Sequence, residues 1–278
     1  MVSWVHAEAN ASSALAIPAW RLGRHRLLVV LAVVGVALPL VAGNGYFYDV
    51  AILVAFNAVV CVGLNLLIGY AGQVSLGHAA FFGLGIIVSI VLATEDRITG
   101  GPDGLQVPPL AIGAFAVSGE LLWYAIAVGA LLLAVFVASN VVDSPAGRAL
   151  RALHTSEVAA QVAGIDTARY KLFAFVLSAA FAALAGALSA FHAGFITPSS
   201  ASFLRSIEFV TMVVFGGMAS TAGAIVGAAV LTLLPQALTS LRDYETIVFG
   251  ALLMATMIFM PRGIVPTLAA LARQRGAR

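Results

Sequence analysis

Long apolar runs broken by short polar or glycine-rich stretches dominate this chain. Eight such runs stand out, at residues 27–43, 50–69, 74–94, 121–142, 172–196, 205–218, 221–240 and 246–260. About 20 apolar residues cross the hydrocarbon core of a bilayer as a helix. The first and last runs are short, and the run at 205–218 is short enough for a half-helix that enters and returns, which protein shielding permits. The pattern predicts an all-α, polytopic integral membrane protein of about eight transmembrane elements, some of them discontinuous or re-entrant. It divides into an N-terminal tail (1–26), one transmembrane domain (27–262) carrying a polar loop at 143–171, and a basic tail (263–278).

Composition strengthens this picture. Of 278 residues, 62% are apolar and only 9% charged, against about 25% charged in soluble domains. The 14 Lys and Arg barely outnumber the 12 Asp and Glu and are scattered beside apolar runs, so no basic patch for nucleic acid exists. Their placement sets orientation, because cytoplasmic loops are enriched in Lys and Arg. If eight elements cross with both termini inside, every one of them except Arg97, Arg205 and Arg242 falls on the cytoplasmic side. The Arg-rich start followed by an apolar run ending in Val41, Ala42 and Gly43 is also the shape of a cleavable signal, but the 26-residue polar head is long for one.

Some chemistry is excluded. A P-loop needs a Lys after its glycines to reach nucleotide phosphates, and the one Lys, Lys171, follows Tyr170. The single cysteine, Cys61, allows neither an internal disulfide nor a cysteine metal cluster. With only isolated polar residues at membrane depth, the chain reads as a non-enzyme with no metal site and no cofactor of its own.

Three segments carry more information. From Asn65 to Gly83 the chain reads NLLIGYAGQVSLGHAAFFG, too rich in glycine for a lipid-facing helix, with Gln73, Ser75 and His78 needing partners or water. These polar residues either line a solute path on a discontinuous segment or join helices by hydrogen bonds. In the loop, Ser156 followed by Glu157 and small residues marks a helix start, and Gly164 marks its stop, predicting a helix of about two turns. That helix either docks on another protein or is a solvated connector. Around Phe215-Gly216-Gly217-Met218, Ala219, Gly223 and Gly227 recur at four-residue spacing, which lets helices approach closely. Glu208 and His192 either mark a pathway or face water at the outer surface. No distinct clamp for a carboxylate is evident.

The run NLLIGYAGQVSLGHAAFFGLG, the loop GRALRALHTSEVAAQVAGIDTARYK and the stretch FGGMASTAGAIVG closely resemble the permeases of branched-chain amino acid ABC transporters. The form at Tyr70-Ala71-Gly72-Gln73 is similar to the LivM-type subunit, as is the turn from Thr99 to Leu105. The resemblance implies a bacterial inner-membrane importer with a second, LivH-type permease subunit, two ATPase subunits that use ATP and Mg, and an extracytoplasmic solute-binding protein. It implies that Ser156, Glu157, Ala160 and Gly164 belong to a coupling helix on the ATPases. Asn65, Gln73, Ser75 and His78 are the expected path residues, and Ala219, Gly223 and Gly227 the expected packing residues.

One departure stands out. In the family, two further spans and a connector separate the equivalent of Phe82–Gly85 from the Thr-Gly-Gly turn, whereas here Ile86 to Arg97 leads straight into it. An internal deletion near residue 85 would account for this. Two readings follow: a permease subunit for branched-chain amino acids or a related small polar solute such as urea or an amide, or a truncated paralogue that no longer transports. A stand-alone channel or secondary carrier is a third, weakened by the coupling-helix motif.

Overall fold

A computed structural model of the chain describes residues 24–41, 45–73, 75, 77–93, 105–107, 110–112, 115–116, 119–196, 202–237, 250, 254 and 263–267. The expected tail over 1–23, the turn at 99–104, nearly all of the run at 246–260 and the tail over 268–278 lie outside the described residues.

The described chain is helical, as the apolar runs require. In order, α1 is Arg24–Val41, α2 Gly45–Asn65, α3 His78–Ala93, α4 Glu120–Asp143, α5 Pro145–Thr155, α6 Glu157–Val162, α7 Thr167–Ala193, α8 Phe203–Gly216 and α9 Thr221–Ala237. Among the described residues, three helical stretches are long and apolar enough to cross a membrane: Gly45–Tyr70, Glu120–Asp143 and Thr167–Ala193. Two small antiparallel pairs stand outside the helices. Leu105–Gln106 pairs with Phe195–Ile196 just beyond α7, and Ala111–Ile112 pairs with Phe115–Ala116.

α2 is the axis of the bundle. It packs against α4, α7, α8 and α9, and from Ala55 to Ala71 every residue is buried. A helix apolar on all sides must be enclosed or face lipid, and this one is enclosed. α4 and α7 by contrast each present a broad apolar face outward, including Leu121, Leu133, Phe136, Leu172 and Val176. Because lipid tails are as apolar as leucine, close packing and hydrogen bonds, not hydrophobic burial, must hold such helices together. At the crossing of α3 and α7 the contact reaches backbone. A Cβ on Gly186 would collide with the carbonyl of Phe82, so only glycine admits this approach.

Boundaries differ from the apolar runs in instructive ways. α2 starts at Gly45 and continues through a π-helical turn, Leu66–Tyr70, so the run predicted from residue 50 is a 26-residue helix, about 39 Å long at 1.5 Å per residue. The run predicted from 74 becomes helical only at His78. α8 has 14 residues, about 21 Å, short of the roughly 30 Å hydrocarbon core, in keeping with the short run. Arg24 and Arg26 lie in the first turns of α1 and not in a tail. The expected C-terminal tail also begins inside the fold: Gly263 is buried and Ile264 packs on the core.

Candidate functional site

The loop between α4 and α7 is built by local rules. Ser144 caps α5, its side chain accepting from the Gly147 N–H, with Pro145 in the first turn. A Pro at the first helical position fits because its missing N–H would be unpaired there anyway. Leu150 and Leu153 turn inward, and burial of each is worth about 2 kcal/mol. Arg151 donates to the Val142 carbonyl at 3.0 Å. The sequence reading did not anticipate α5, although Ser144-Pro145 was its start signal.

α6 is the short helix the loop predicted. Ser156 accepts from the Ala159 N–H at 3.2 Å, and Gly164 ends the helix at φ +80°, a left-handed conformation that glycine adopts without strain. Lys171 Nζ and Glu157 Oε2 lie 2.6 Å apart on its exposed flank. Its faces are sharply unequal. Ala160, expected among outward contacts, instead is buried against the chain. Outward, Val158 is 71% and Val162 85% exposed, beside the exposed Glu157 and Gln161. Two exposed valines one turn apart are the feature of α6 that sequence reasoning missed, although the spacing i, i+4 displays it.

The glycine-rich segment breaks where expected. After the π-helical turn the chain leaves helical geometry at Gly72 and resumes at His78. Gly72 approaches His154 of α5, so this end of α2 lies beside the polar loop. Gln73 and Ser75 are half-buried on the irregular stretch. Asn65 and His78 are buried and engaged. Asn65 Oδ1 accepts from the Ala219 N–H at 2.9 Å. His78 Nε2 lies 2.7 Å from Ser178 Oγ and Nδ1 3.0 Å from Ser75 Oγ. The Ala79 N–H donates to Ser206 Oγ at 3.1 Å, which ties the start of α3 to α8.

Gly223 and Gly227 serve the crossing of α8 and α9: a Cβ on Gly223 would lie 2.7 Å from the Gly216 carbonyl, and one on Gly227 would collide with that of Met212. Ala219 does not share that crossing. It is exposed in the turn between the helices at φ +58°, bound through its N–H to Asn65.

The structure assembles a group around Arg205, a residue the sequence did not single out, although it offered Glu208 as a pathway candidate. Arg205, expected at the non-cytoplasmic start of the run 205–218, lies against Asn57, which stands midway along Gly45–Tyr70. Arg205 Nη1 donates to Glu208 Oε2 at 2.7 Å and Nη2 to Asn57 Oδ1 at 2.9 Å. Asn57 Nδ2 donates to Thr232 Oγ1 at 2.9 Å, and the guanidinium sits over the Phe209 ring, 4.9 Å from its centre. Glu208 is thus tied through Arg205 to the middle of α2. The i, i+3 spacing of Arg205 and Glu208 was the available signal. His192 lies 3.6 Å from Asp49 near the start of α2 and edge-on to Phe56, the neighbour of Asn57.

A family model described as the permease component of the branched-chain amino acid transport system matches residues 86–260. The chain belongs to this family. Its relatives include two permease proteins of high-affinity branched-chain amino acid transport systems called LivM. That of Salmonella typhimurium is 27% identical over 316 positions, covering 86% of this chain and 74% of the relative. That of Escherichia coli K12 is 28% identical over the same shares. LivH of Salmonella typhimurium is 30% identical over 193 positions, 64% of this chain and 61% of its own length. The LivM-type resemblance thus spans most of the chain. The 316 aligned positions exceed the 278 residues of this whole chain, so the relative carries residues within the aligned stretch that have no counterpart here. No solved structure matches. The chain is a membrane-embedded permease component of a transport system.

Proposed function

We propose that this chain is one permease subunit of an ATP-driven importer for branched-chain amino acids or a related small polar solute, docked on separate ATPase subunits through α6. The observation that carries this reading is the outward exposure of Val158 and Val162 on a capped helix. Two valines exposed on a short, rigidly seated helix suit insertion into an apolar groove. The nucleotide chemistry belongs to the ATPases, which use ATP and Mg. A LivH-type second permease and an extracytoplasmic binding protein complete the assembly, in a bacterial inner membrane with both termini and the α5–α6 loop cytoplasmic. Movement of the ATPase pair would shift α6 and, through α5 and its contact at Gly72, the break before His78, where Gln73 and Ser75 with Asn65 and His78 border the path.

The test is co-purification. The chain is expressed with the second permease, ATPases and binding protein of its own system, and the tagged complex is assayed for ATPase content and for hydrolysis stimulated by loaded binding protein. The Val158→Asp, Val162→Asp double variant touches nothing buried, so it is expected to insert normally and to lose at least nine-tenths of the bound ATPase. Full ATPase recovery in that variant would overturn docking through α6.

A second reading, a permease homologue that no longer transports, is supported by the residues of the LivM relative that have no counterpart here. The same preparation decides it: a wild-type chain that reaches the membrane but recruits no ATPase is the outcome it requires.

A further inference from the structure

We propose that Arg205 and Glu208 form a station for the zwitterionic head of an amino acid, with the solute carboxylate on Arg205 and its ammonium on Glu208. The inference rests on the permease reading above and sharpens its solute class, since urea and simple amides carry neither charge.

Position is the first support. Arg205 touches Asn57, midway along the 26-residue apolar helix Gly45–Tyr70, so the pair reaches the middle stretch of a helix long enough to cross a bilayer. Charges there are costly to expose to lipid and mark pathways or protein interiors. Yet the side chains of Arg205 and Glu208 remain 30% and 36% exposed on this chain. The face carrying them must therefore look onto a water-filled path or a second protein.

Geometry is the second. Asn57 is held in turn by Thr232, and Phe209 supports the guanidinium from one face, so Arg205 is oriented by residues of its own helix and of α2, with α9 holding Asn57. A guanidinium carries five N–H donors in a planar fork suited to a carboxylate, and the bonds to Glu208 and Asn57 use two of them. The Arg205–Glu208 pair is neutral as a unit. An arriving zwitterion, neutral as well, can open it and exchange one ion pair for two without leaving a net charge at mid-depth. A solute of net charge cannot do so, which makes the station selective for neutral amino acids. It is weak by construction, because the two side chains compete with the solute for each other, and a transport station must release what it binds.

The test uses the whole complex of this chain with its second permease, ATPases and binding protein in proteoliposomes. Uptake of labelled leucine and ATP hydrolysis are measured together for wild type, Glu208→Gln and Arg205→Gln. The expected result is normal assembly and normal hydrolysis stimulated by loaded binding protein, with leucine moved per ATP reduced about tenfold or more at unchanged KM, since the binding protein sets KM. If Arg205→Gln fails to assemble, the isosteric Glu208→Gln alone decides. Unchanged leucine per ATP in Glu208→Gln overturns the station and leaves the permease reading standing. So does a parallel fall in uptake and hydrolysis, or failure of Glu208→Gln to assemble, either of which makes the pair a structural or subunit contact. A wild-type complex that hydrolyses ATP but moves no neutral amino acid overturns the amino-acid permease reading and the station with it.

Discussion

His78 and Arg205 are both ionisable residues held within the helix bundle, and they are handled in opposite ways. His78 is fully buried, with each ring nitrogen next to a serine hydroxyl and the rings of Phe81 and Phe175 set edge-on around it. Arg205 is fixed by Asn57, Glu208 and Phe209 but keeps part of its guanidinium open. A sealed polar group in an apolar bundle joins helices, because its hydrogen bonds can be satisfied only when those helices are together. An open one is exposed to whatever fills the space beside it. The two sites show how one chain separates holding itself together from meeting something else.

The comparison breaks most severely at Gly186. The carbonyl of Phe82 lies where a Cβ would go, so Gly186→Leu must force α3 away from α7 and part His78 from Ser178. The overpacking is expected to cost about 3 kcal/mol or more, seen as loss of monodisperse protein in detergent. Gly129, in α4, has open space at the same test, and Gly129→Ala is expected to leave yield unchanged or slightly better. Equal behaviour of the two variants would mean that the α3–α7 contact does not hold the sealed site.

A smaller effect is expected from His78 itself. His78→Ala removes the partner of Ser178 and of Ser75 and leaves a void. Unsatisfied buried hydroxyls and lost packing together should cost about 2 kcal/mol, read as a lower midpoint in thermal unfolding of the purified chain. Ser178→Ala should recover part of that loss when combined with His78→Ala, since the orphaned hydroxyl is then gone. Strict additivity of the two changes would show that they do not act as a pair.

How much of this was legible beforehand depended on the range of the interaction. Local chemistry was readable: Ser156 as a cap, Gly164 as a stop and the break before His78 are set by neighbours a few residues away. The helical, membrane-spanning class followed from the apolar runs alone. Long-range partners were not readable. Nothing near Arg205 in the chain points to Asn57, 148 positions away, and an arginine at the edge of a short apolar run looks like a loop residue. Ala160 shows the same limit in small: it was expected among the docking residues with Ser156, Glu157 and Gly164, and only packing against the bundle decided that it is buried while Val158 and Val162 face out.

The subtlest change separates the two kinds of site most sharply. Thr232→Val keeps the shape of the side chain and removes the hydroxyl that accepts from Asn57 Nδ2. If the Asn57–Thr232 bond serves to orient Arg205, its loss leaves the buried Nδ2 of Asn57 unpaired and should cost about 1–2 kcal/mol of stability, while the bond from Arg205 to Asn57 Oδ1 remains. Leucine moved per ATP should nonetheless fall several-fold, since a guanidinium free to swing presents its donors less well. Thermal unfolding and coupled uptake measured on the same preparation distinguish the cases. A clear drop in unfolding midpoint with uptake per ATP unchanged would place Asn57 and Thr232 with His78 as a joint between helices, and Arg205 would then lose the neighbour that gives it a fixed direction.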